Sequence, residues 1–164
     1  MRDKHELKFS TRDSAYRVLA AKEILYKLEN MCRILPTEET GGIIVGYYSD
    51  DLRTAIITEV TSPPADSKKG FSWFIRGIEG LRSLLKERWG QARRTFYIGE
   101  WHYHPSAIVE PSSDDFEQMR QISKTKKYQC REPMMIILGK SENSTRPLRI
   151  FLCAQGNIIE ELFP

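Results

Sequence analysis

The segment "GEWHYHPSAIVEPSSDD", Gly99 to Asp115, constrains the fold of this chain more than any other segment. It continues the apolar run "RTFYIG", which is typical of a buried strand, and a proline follows its second histidine and ends that strand. Because side chains alternate between the two faces of a strand, His102 and His104 point the same way, with Cα atoms roughly 6.6 Å apart. Tyr103 then faces the other side of the sheet.

A helix start follows this strand after the short loop "SAIVEP". The four residues "SSDD" favour it, because serine and aspartate accept hydrogen bonds from the first free N–H groups of a helix. An aspartate there also suits the positive end of the helix dipole. Asp114 or Asp115 is therefore placed to offer a carboxylate to the same ion as the two histidines. Two imidazoles and a carboxylate make three zinc ligands, and a fourth position left to water is the mark of a catalytic zinc site.

A zinc site that hydrolyses a peptide also needs a carboxylate outside the metal shell, which takes a proton from water and passes it to the leaving amine. The candidates are Glu38 and Glu39, directly before the apolar run "TGGIIVG". A glutamate that enters a buried strand through two glycines can lie at the sheet end where the histidines emerge. Spacing alone does not decide which of the two glutamates has this role.

The rest of the chain predicts an α/β or α+β domain with a mostly antiparallel sheet and about three helices. The predicted strands cover residues 5–10, 41–49, 53–64, 94–101, 133–139 and the hairpin 147–162. The second and third helices are expected from about Ile78 to Gly90 and from Ser112 or Ser113 onward. The first helix is expected to follow a cap at Thr11 or Asp13 and to end at Pro36. Its apolar residues at helical spacing are Val18, Ala21, Leu25, Leu28, Cys32 and Leu35.

Composition limits the function classes. The 164 residues suit a single domain over 1–164, and 25 basic against 22 acidic residues give a net charge of +3, too small to argue for nucleic acid or a membrane surface. No apolar run approaches the ~20 residues of a membrane span, and "MRDKHELKFS" lacks the apolar core of a signal peptide, so a cytoplasmic location is expected. The three widely spaced cysteines predict buried or half-buried thiols rather than disulfides, and Trp73 and Trp89 are expected in the core.

These residues together resemble the signature of the JAMM (MPN+) metalloprotease family: HxHP, a short loop, then SxxD. In "HYHP…SSDD", Ser112 and Asp115 stand eight and eleven positions after His104, which selects them over their neighbours. The family also has an upstream glutamate followed by two spaced glycines, and "ETGGIIVG" matches from Glu39 through Gly42 to Gly46. That register selects Glu39 over Glu38. The lead-in "GEWH" is typical of the family as well.

The resemblance implies a JAB/MPN domain with cytidine-deaminase-like layering and the activity of a zinc-dependent isopeptidase. By resemblance, His102, His104 and Asp115 hold Zn²⁺. Glu39 takes the proton of the attacking water and later protonates the departing amine, and Ser112 Oγ donates a hydrogen bond to the developing oxyanion.

Within the family, "ETGGIIVGYY" and "GEWHYHP" are most similar to the deconjugating isopeptidases of bacterial CBASS antiphage operons. That similarity implies a protein substrate cut after its C-terminal tail: a cGAS-like nucleotidyltransferase released from its targets, or a ubiquitin-like conjugate. The loops Pro63–Phe71 and Ser106–Pro111 are expected to flank the tail. Tyr103 departs from the serine of many eukaryotic relatives, which bears on specificity rather than catalysis.

Three alternatives stay open from the sequence. The first is a JAMM peptidase that processes sulfur-carrier or ubiquitin-like proteins with the same active site. The second is a non-catalytic JAB module used as a binding scaffold, although such modules usually lack the ligands that this chain has. The third is the DNA-repair-associated JAB group, whose motif is closer to HNHPSG. The sequence "HYHPSA" lacks that asparagine and glycine, and the weak net charge does not support DNA binding.

Overall fold

The computed structural model describes residues 7–33 and 37–164. The strands are β1 (Leu7–Ser10), β2 (Arg17–Ala20), β3 (Thr40–Tyr48), β4 (Thr54–Val60), β5 (Lys68–Lys69), β6 (Phe74–Ile75), β7 (Phe96–Tyr103), β8 (Met134–Leu138), β9 (Leu148–Ala154) and β10 (Ile158–Leu162). The helices are α1 (Lys22–Arg33), α2 (Leu81–Trp89) and α3 (Ser113–Lys124), with a 3₁₀ turn at Lys126–Tyr128. The predicted fold class, a mostly antiparallel sheet with three helices, is confirmed.

Eight strands form one curved sheet in the order β1-β2-β4-β3-β7-β8-β9-β10. The pairs β2–β4 and β7–β8 are parallel, and the other neighbouring pairs are antiparallel. Ser10 and Phe163 exchange backbone hydrogen bonds of 2.8 Å, so the two edges of the sheet meet at one point. The central strand β7 lies between β3 and β8, and it carries both histidines toward one end of the sheet.

The helices cover the two faces of this sheet. Leu28 and Cys32 of α1 pack with Trp101 and Tyr103 of β7 in the larger apolar cluster. On the opposite face, Met119 and other residues of α3 pack against β8 and β9, and α2 adds partly buried leucines beside β3. The faces of β7 are therefore covered by different helices.

A β-bulge in β7 decides which of its side chains face which helix. Ile44 pairs with Gly99 and Val45 with Tyr97, so Ile98 is the extra residue. Because of the bulge, Ile98 and Trp101 both join the cluster around α1 although they are three residues apart. A Cβ at Gly99 would lie 2.1 Å from the Met134 carbonyl oxygen, so this close approach of β8 requires glycine.

The predicted first helix is wrong in its first half. Residues 17–20 form β2, which pairs with both β1 and β4, and Val18 is buried in the sheet rather than on a helix. Thr11 and Asp13 form a turn, in which the Thr11 hydroxyl donates to Asp13 Oδ1 at 2.7 Å, and do not cap a helix. Helix α1 begins at Lys22, where the helical spacing is kept through Leu25, Leu28 and Cys32. The predicted end at Leu35 and Pro36 lies outside the described residues.

Other differences lie around α2. This helix begins at Leu81, and Ile78, expected on it, precedes it and is exposed. Trp73 and Trp89 are 48% and 51% exposed, so their predicted place in the core is wrong. All three cysteines are buried and free, as predicted. Among the residues that the structure describes, no helix has the length and apolar character needed to cross a membrane.

Candidate metal centre and active site

The two histidines and one aspartate meet at the end of β7. His102 is buried on β7, and His104 follows the strand, with its N–H donating to the Leu138 carbonyl oxygen at 2.9 Å. The candidate ligand atoms of His102, His104 and Asp115 all lie within 4.8 Å of one another. His102 Nδ1 is 3.1 Å from Asp115 Oδ1, and His104 Nε2 is 3.7 Å from Asp115 Oδ2. The three side chains therefore surround one small space.

The start of α3 fixes the aspartate. Ser112 is the N-cap residue, and its Oγ accepts the Asp115 N–H at 3.1 Å. In return, the Ser112 N–H and hydroxyl donate to Asp115 Oδ2 at 2.7 and 2.9 Å. This reciprocal capping box holds the carboxylate in place and leaves Oδ1 toward His102. Asp114, the other candidate, is exposed.

Glu39 lies at the same end of the sheet, one residue before β3. Strand β3 pairs antiparallel with β7 through Thr40–Tyr103 and Gly41–His102. Burial raises the pKa of Glu39, the negative charge of Asp115 raises it further, and His102 opposes the shift. These mutual influences put Glu39 in the electrostatic environment of the cluster. Glu38 instead lies 3.7 Å from Lys69 Nζ, in a half-exposed ion pair.

The strand entry and the β5–β6 hairpin confine the imidazole of His102. A Cβ at Gly41 would lie 2.4 Å from the Trp101 carbonyl oxygen and 2.9 Å from His102 Cδ2, so only glycine fits beside the ring. From the hairpin, Phe74 contacts the imidazole in an edge-to-face arrangement with ring centroids 5.9 Å apart. The hairpin is joined to the end of the sheet that carries the histidines, because the Glu39 N–H donates to the Gly70 carbonyl oxygen at 2.8 Å.

The electrostatics of the cluster favour a cation. Burial tends to lower the pKa of His102, but the hydrogen bond to Asp115 and the nearby negative charges of Glu100 and Asp115 outweigh burial and raise the pKa to about 9. Burial tends to raise the pKa of Asp115, but the bonds from His102 and Ser112 lower it to about 2. Burial lowers the pKa of His104. Carboxylates thus stabilise positive charge at His102, while His104 keeps a neutral nitrogen.

The donor set fits zinc. Two imidazole nitrogens and one carboxylate are among the ligand combinations that zinc accepts, and three protein ligands leave a position open. The candidate ligand atoms of the three residues are close enough to one another to reach a single ion, and His102 presents its Nδ1 to Asp115 on that side.

Sequence reasoning missed a buried charged network beside His102. The carboxylate of Glu100 accepts hydrogen bonds from Arg76 Nε at 2.9 Å, Tyr97 Oη at 3.1 Å and Gln118 Nε2 at 3.2 Å. Glu100 stands two residues before His102, so strand alternation already places it on the same face. This two-residue spacing from His102 was the feature of the sequence that could have identified Glu100. Its partner Arg76 follows the β5–β6 hairpin and could not be found from sequence.

Exposed apolar side chains lie on two segments near the histidines: Phe71 and Ile108 belong to the loops expected to flank a substrate tail, and Trp73 lies just beyond the first of them. Phe71 and Trp73 project from the β5–β6 hairpin, and Ile108 projects from the loop that follows His104. Arg149 holds that loop, because its guanidinium donates to the Val109 carbonyl oxygen at 2.8 Å. Val109 is buried, whereas Ile108 is 70% exposed.

Comparison with known proteins agrees with this architecture. Residues 23–151 match the family described as prokaryotic homologs of the JAB domain. The chain therefore belongs to this JAB-domain family, whose named relatives support a peptidase. A solution structure of a protein from Desulfitobacterium hafniense has the same fold, with a TM-score of 0.62 at 16% identity over 87% of both chains.

Curated relatives carry names of the same kind. A CD-NTase/cGAS isopeptidase of Enterobacter hormaechei is 43% identical over 152 residues, which are 93% of this chain and 83% of the relative. A probable metalloprotease, y4qB, of Sinorhizobium fredii is 33% identical over 64% of this chain and 65% of its own length. A CD-NTase/cGAS isopeptidase of Pseudomonas aeruginosa is 28% identical over 63% of this chain and 64% of its own length.

Proposed function

We propose that the chain is a zinc-dependent isopeptidase that cuts after the C-terminal tail of a conjugated protein. The observation that carries this proposal is the cluster of His102, His104 and Asp115, whose ligand atoms lie within 4.8 Å of one another. The relatives named isopeptidase and metalloprotease support it. Residues 1–164 are proposed to form one JAB/MPN domain that acts in the cytoplasm.

In this proposal, His102, His104 and Asp115 hold the ion. When bound, zinc supplies a Lewis acid that polarises the scissile carbonyl and lowers the pKa of water to about 7. The capping box keeps the Asp115 carboxylate aimed at the histidines before any ion arrives, because both the backbone and the hydroxyl of Ser112 bind it.

Glu39 is the proposed general base and acid. Its carboxylate takes a proton from the attacking water and gives it to the departing amine. Burial raises its pKa, and a raised pKa makes the carboxyl a stronger base for the first transfer and keeps the second possible near neutral pH. Glu38 is less suited to this role, because it is half-exposed beside Lys69.

Ser112 is the proposed donor to the oxyanion. In the structure its hydroxyl donates to Asp115 Oδ2 at 2.9 Å and its Oγ caps α3. With substrate in place, the hydroxyl turns to the developing oxyanion, while the Ser112 N–H keeps its own bond to Asp115. Loss of one such donor costs about 10²–10³ in rate.

The proposed substrate is a cGAS-like nucleotidyltransferase joined to a target through its C-terminal tail, so that cleavage serves antiphage defence. The names of two relatives support this substrate class. We propose that the tail lies extended, as an added strand, between the β5–β6 hairpin and the loop around Ile108, where exposed apolar side chains are available to contact it.

The test uses a nucleotidyltransferase fused through its C-terminus to a reporter domain. The purified chain should release the reporter, a chelator should stop the cut, and mass spectrometry should place it after the tail. A sulfur-carrier or ubiquitin-like fusion tests the alternative substrates in parallel. No cut in any fusion by the zinc-loaded protein would contradict the enzymatic proposal and favour a binding scaffold.

A further inference from the structure

The carboxylate of Glu100 is unusual because it is charged and almost fully buried. Its side chain is 1% exposed, and its ion-pair partner Arg76 is 8% exposed. Removing two charges from water costs several kcal/mol per ion, and a buried ion pair is weak evidence of net stability. The sequence keeps the Glu100 carboxylate inside β7 and pairs it with Arg76, although well-packed apolar residues in place of such a pair are often at least as stable. A role other than stability therefore has to be considered.

The imidazole of His102 lies between two carboxylates. Its Nδ1 faces Asp115 Oδ1 at 3.1 Å, on the side where His104 also lies. Its Nε2 faces Glu100 Oε2 at 3.7 Å and has no hydrogen-bond partner. One ring nitrogen thus points into the candidate metal site, and the other points at the buried acid.

The contacts of Glu100 leave an acceptor free on the side of His102. Oε1 accepts from Arg76 Nε and Tyr97 Oη, whereas Oε2 accepts only from Gln118 Nε2 among the described residues. Arg76 also donates to the Gly77 carbonyl oxygen and to Tyr128 Oη, so the guanidinium is itself fixed. The network holds the carboxylate with a lone pair of Oε2 available to the imidazole.

We propose that Glu100 is a positioning residue for the metal site: its carboxylate accepts the Nε2–H of His102 and thereby fixes the tautomer whose Nδ1 lone pair faces Asp115 and His104. The inference rests on the proposed metalloprotease function. Histidines that bind a metal usually donate their other N–H to a carboxylate or carbonyl, and loss of that partner typically costs about 10–100-fold in metal affinity or activity.

The substitution Glu100→Gln tests this role without changing the size of the side chain. An amide can present an NH₂ group to His102 Nε2, which favours the wrong tautomer. The matched control is Glu59→Gln, the same change in the ion pair of Glu59 with Arg88, whose nitrogens lie 2.7 and 3.3 Å from the carboxylate oxygens. Zinc affinity of each folded protein is measured by competition with a chromophoric chelator.

The expected result is a zinc dissociation constant about 10–100-fold weaker for Glu100→Gln, with Glu59→Gln within about threefold of wild type. Equal affinity of Glu100→Gln and wild type would overturn the inference while leaving the proposed function intact. If the wild-type protein itself binds no zinc, the proposed function and the inference both fail.

A measurement on the wild-type protein covers the case in which Glu100→Gln does not fold. Long-range ¹H–¹⁵N correlation spectra of the zinc-loaded protein report the tautomer of each histidine ring. The inference predicts a protonated Nε2 and a metal-bound Nδ1 for His102. A protonated Nδ1 with a metal-bound Nε2 would overturn it.

Discussion

The two faces of β7 are equally buried but are built differently. One face packs Ile98, Trp101 and Tyr103 against the cluster around α1. The other face carries Glu100 and His102, which are just as inaccessible to water. Apolar groups are stabilised by burial alone, whereas each buried polar group needs a partner. The polar face is therefore specified by partners on other elements, such as Arg76 and Asp115.

The two faces of β7 therefore have different tasks, one in stability and the other in chemistry. Side chains on the apolar face set how stable the sheet is, and those on the polar face set which ion and which proton transfers the end of the sheet supports. Strand alternation places Trp101 and Tyr103 on one side and Glu100 and His102 on the other, and the β-bulge brings Ile98 to the side of Trp101.

The largest expected effect is on catalysis alone. Glu39→Gln keeps the size and hydrogen-bonding capacity of the side chain but cannot shuttle a proton, so we expect the cleavage rate to fall by about 10²–10⁴. The midpoint of urea unfolding should stay the same, because no buried apolar contact is lost. Cleavage at the wild-type rate would contradict the general-base assignment.

Trp101→Ala should have the converse effect on the apolar face. The indole is fully buried, and its Nε1–H donates to the Thr61 carbonyl oxygen at 2.9 Å. We expect a loss of about 3–5 kcal/mol in the free energy of unfolding. Trp89→Ala is the control, because Trp89 is half-exposed and its removal should cost much less. Similar unfolding curves for the two variants would contradict the claim that the apolar face of β7 sets the stability of the sheet.

Gly41→Ala should disturb both faces at once, because the new methyl group would press on the Trp101 carbonyl oxygen and on His102 Cδ2. Overpacking of this kind typically costs about 1–3 kcal/mol, and zinc affinity should also fall. Gly90→Ala is the matched control. Its φ of −78° suits alanine, and the nearest atom would be 3.5 Å away. A Gly41→Ala protein with wild-type stability and zinc affinity would refute the tight fit.

The smallest expected effect concerns the thiols. Burial raises the pKa of Cys32, on the α1 side, and of Cys130, on the other side, to about 12. A raised thiol pKa leaves almost no reactive thiolate at pH 8, and both thiols become reactive only when the protein unfolds. We expect no rapid reaction with a thiol reagent in the native state and three reacting thiols in urea. Rapid modification of only one of these thiols in the native protein would show that water and reagent reach one face of the sheet more easily than the other.

The sequence predicted the parts of the site that depend on local periodicity. Strand alternation aligned His102 with His104, and the capping preference of "SSDD" predicted a helix start there, which is confirmed at Ser113 with Ser112 as its N-cap. It failed where a distant partner decides the structure. Residues 17–20 look helical in isolation but are held as a strand by β1 and β4. Arg76 could not be matched to Glu100, because the two residues are 24 positions apart with α2 between them, and only the folded chain brings them together.

The most direct test of the central claim is native mass spectrometry of zinc-loaded wild-type protein beside His104→Ala and Asp115→Ala. The account predicts one tightly bound zinc ion per wild-type chain, greatly weakened binding in both variants, and cleavage of the tail fusion only by the protein that holds zinc. A wild-type chain that binds no zinc, or that cleaves equally well after the ion is removed, would contradict it.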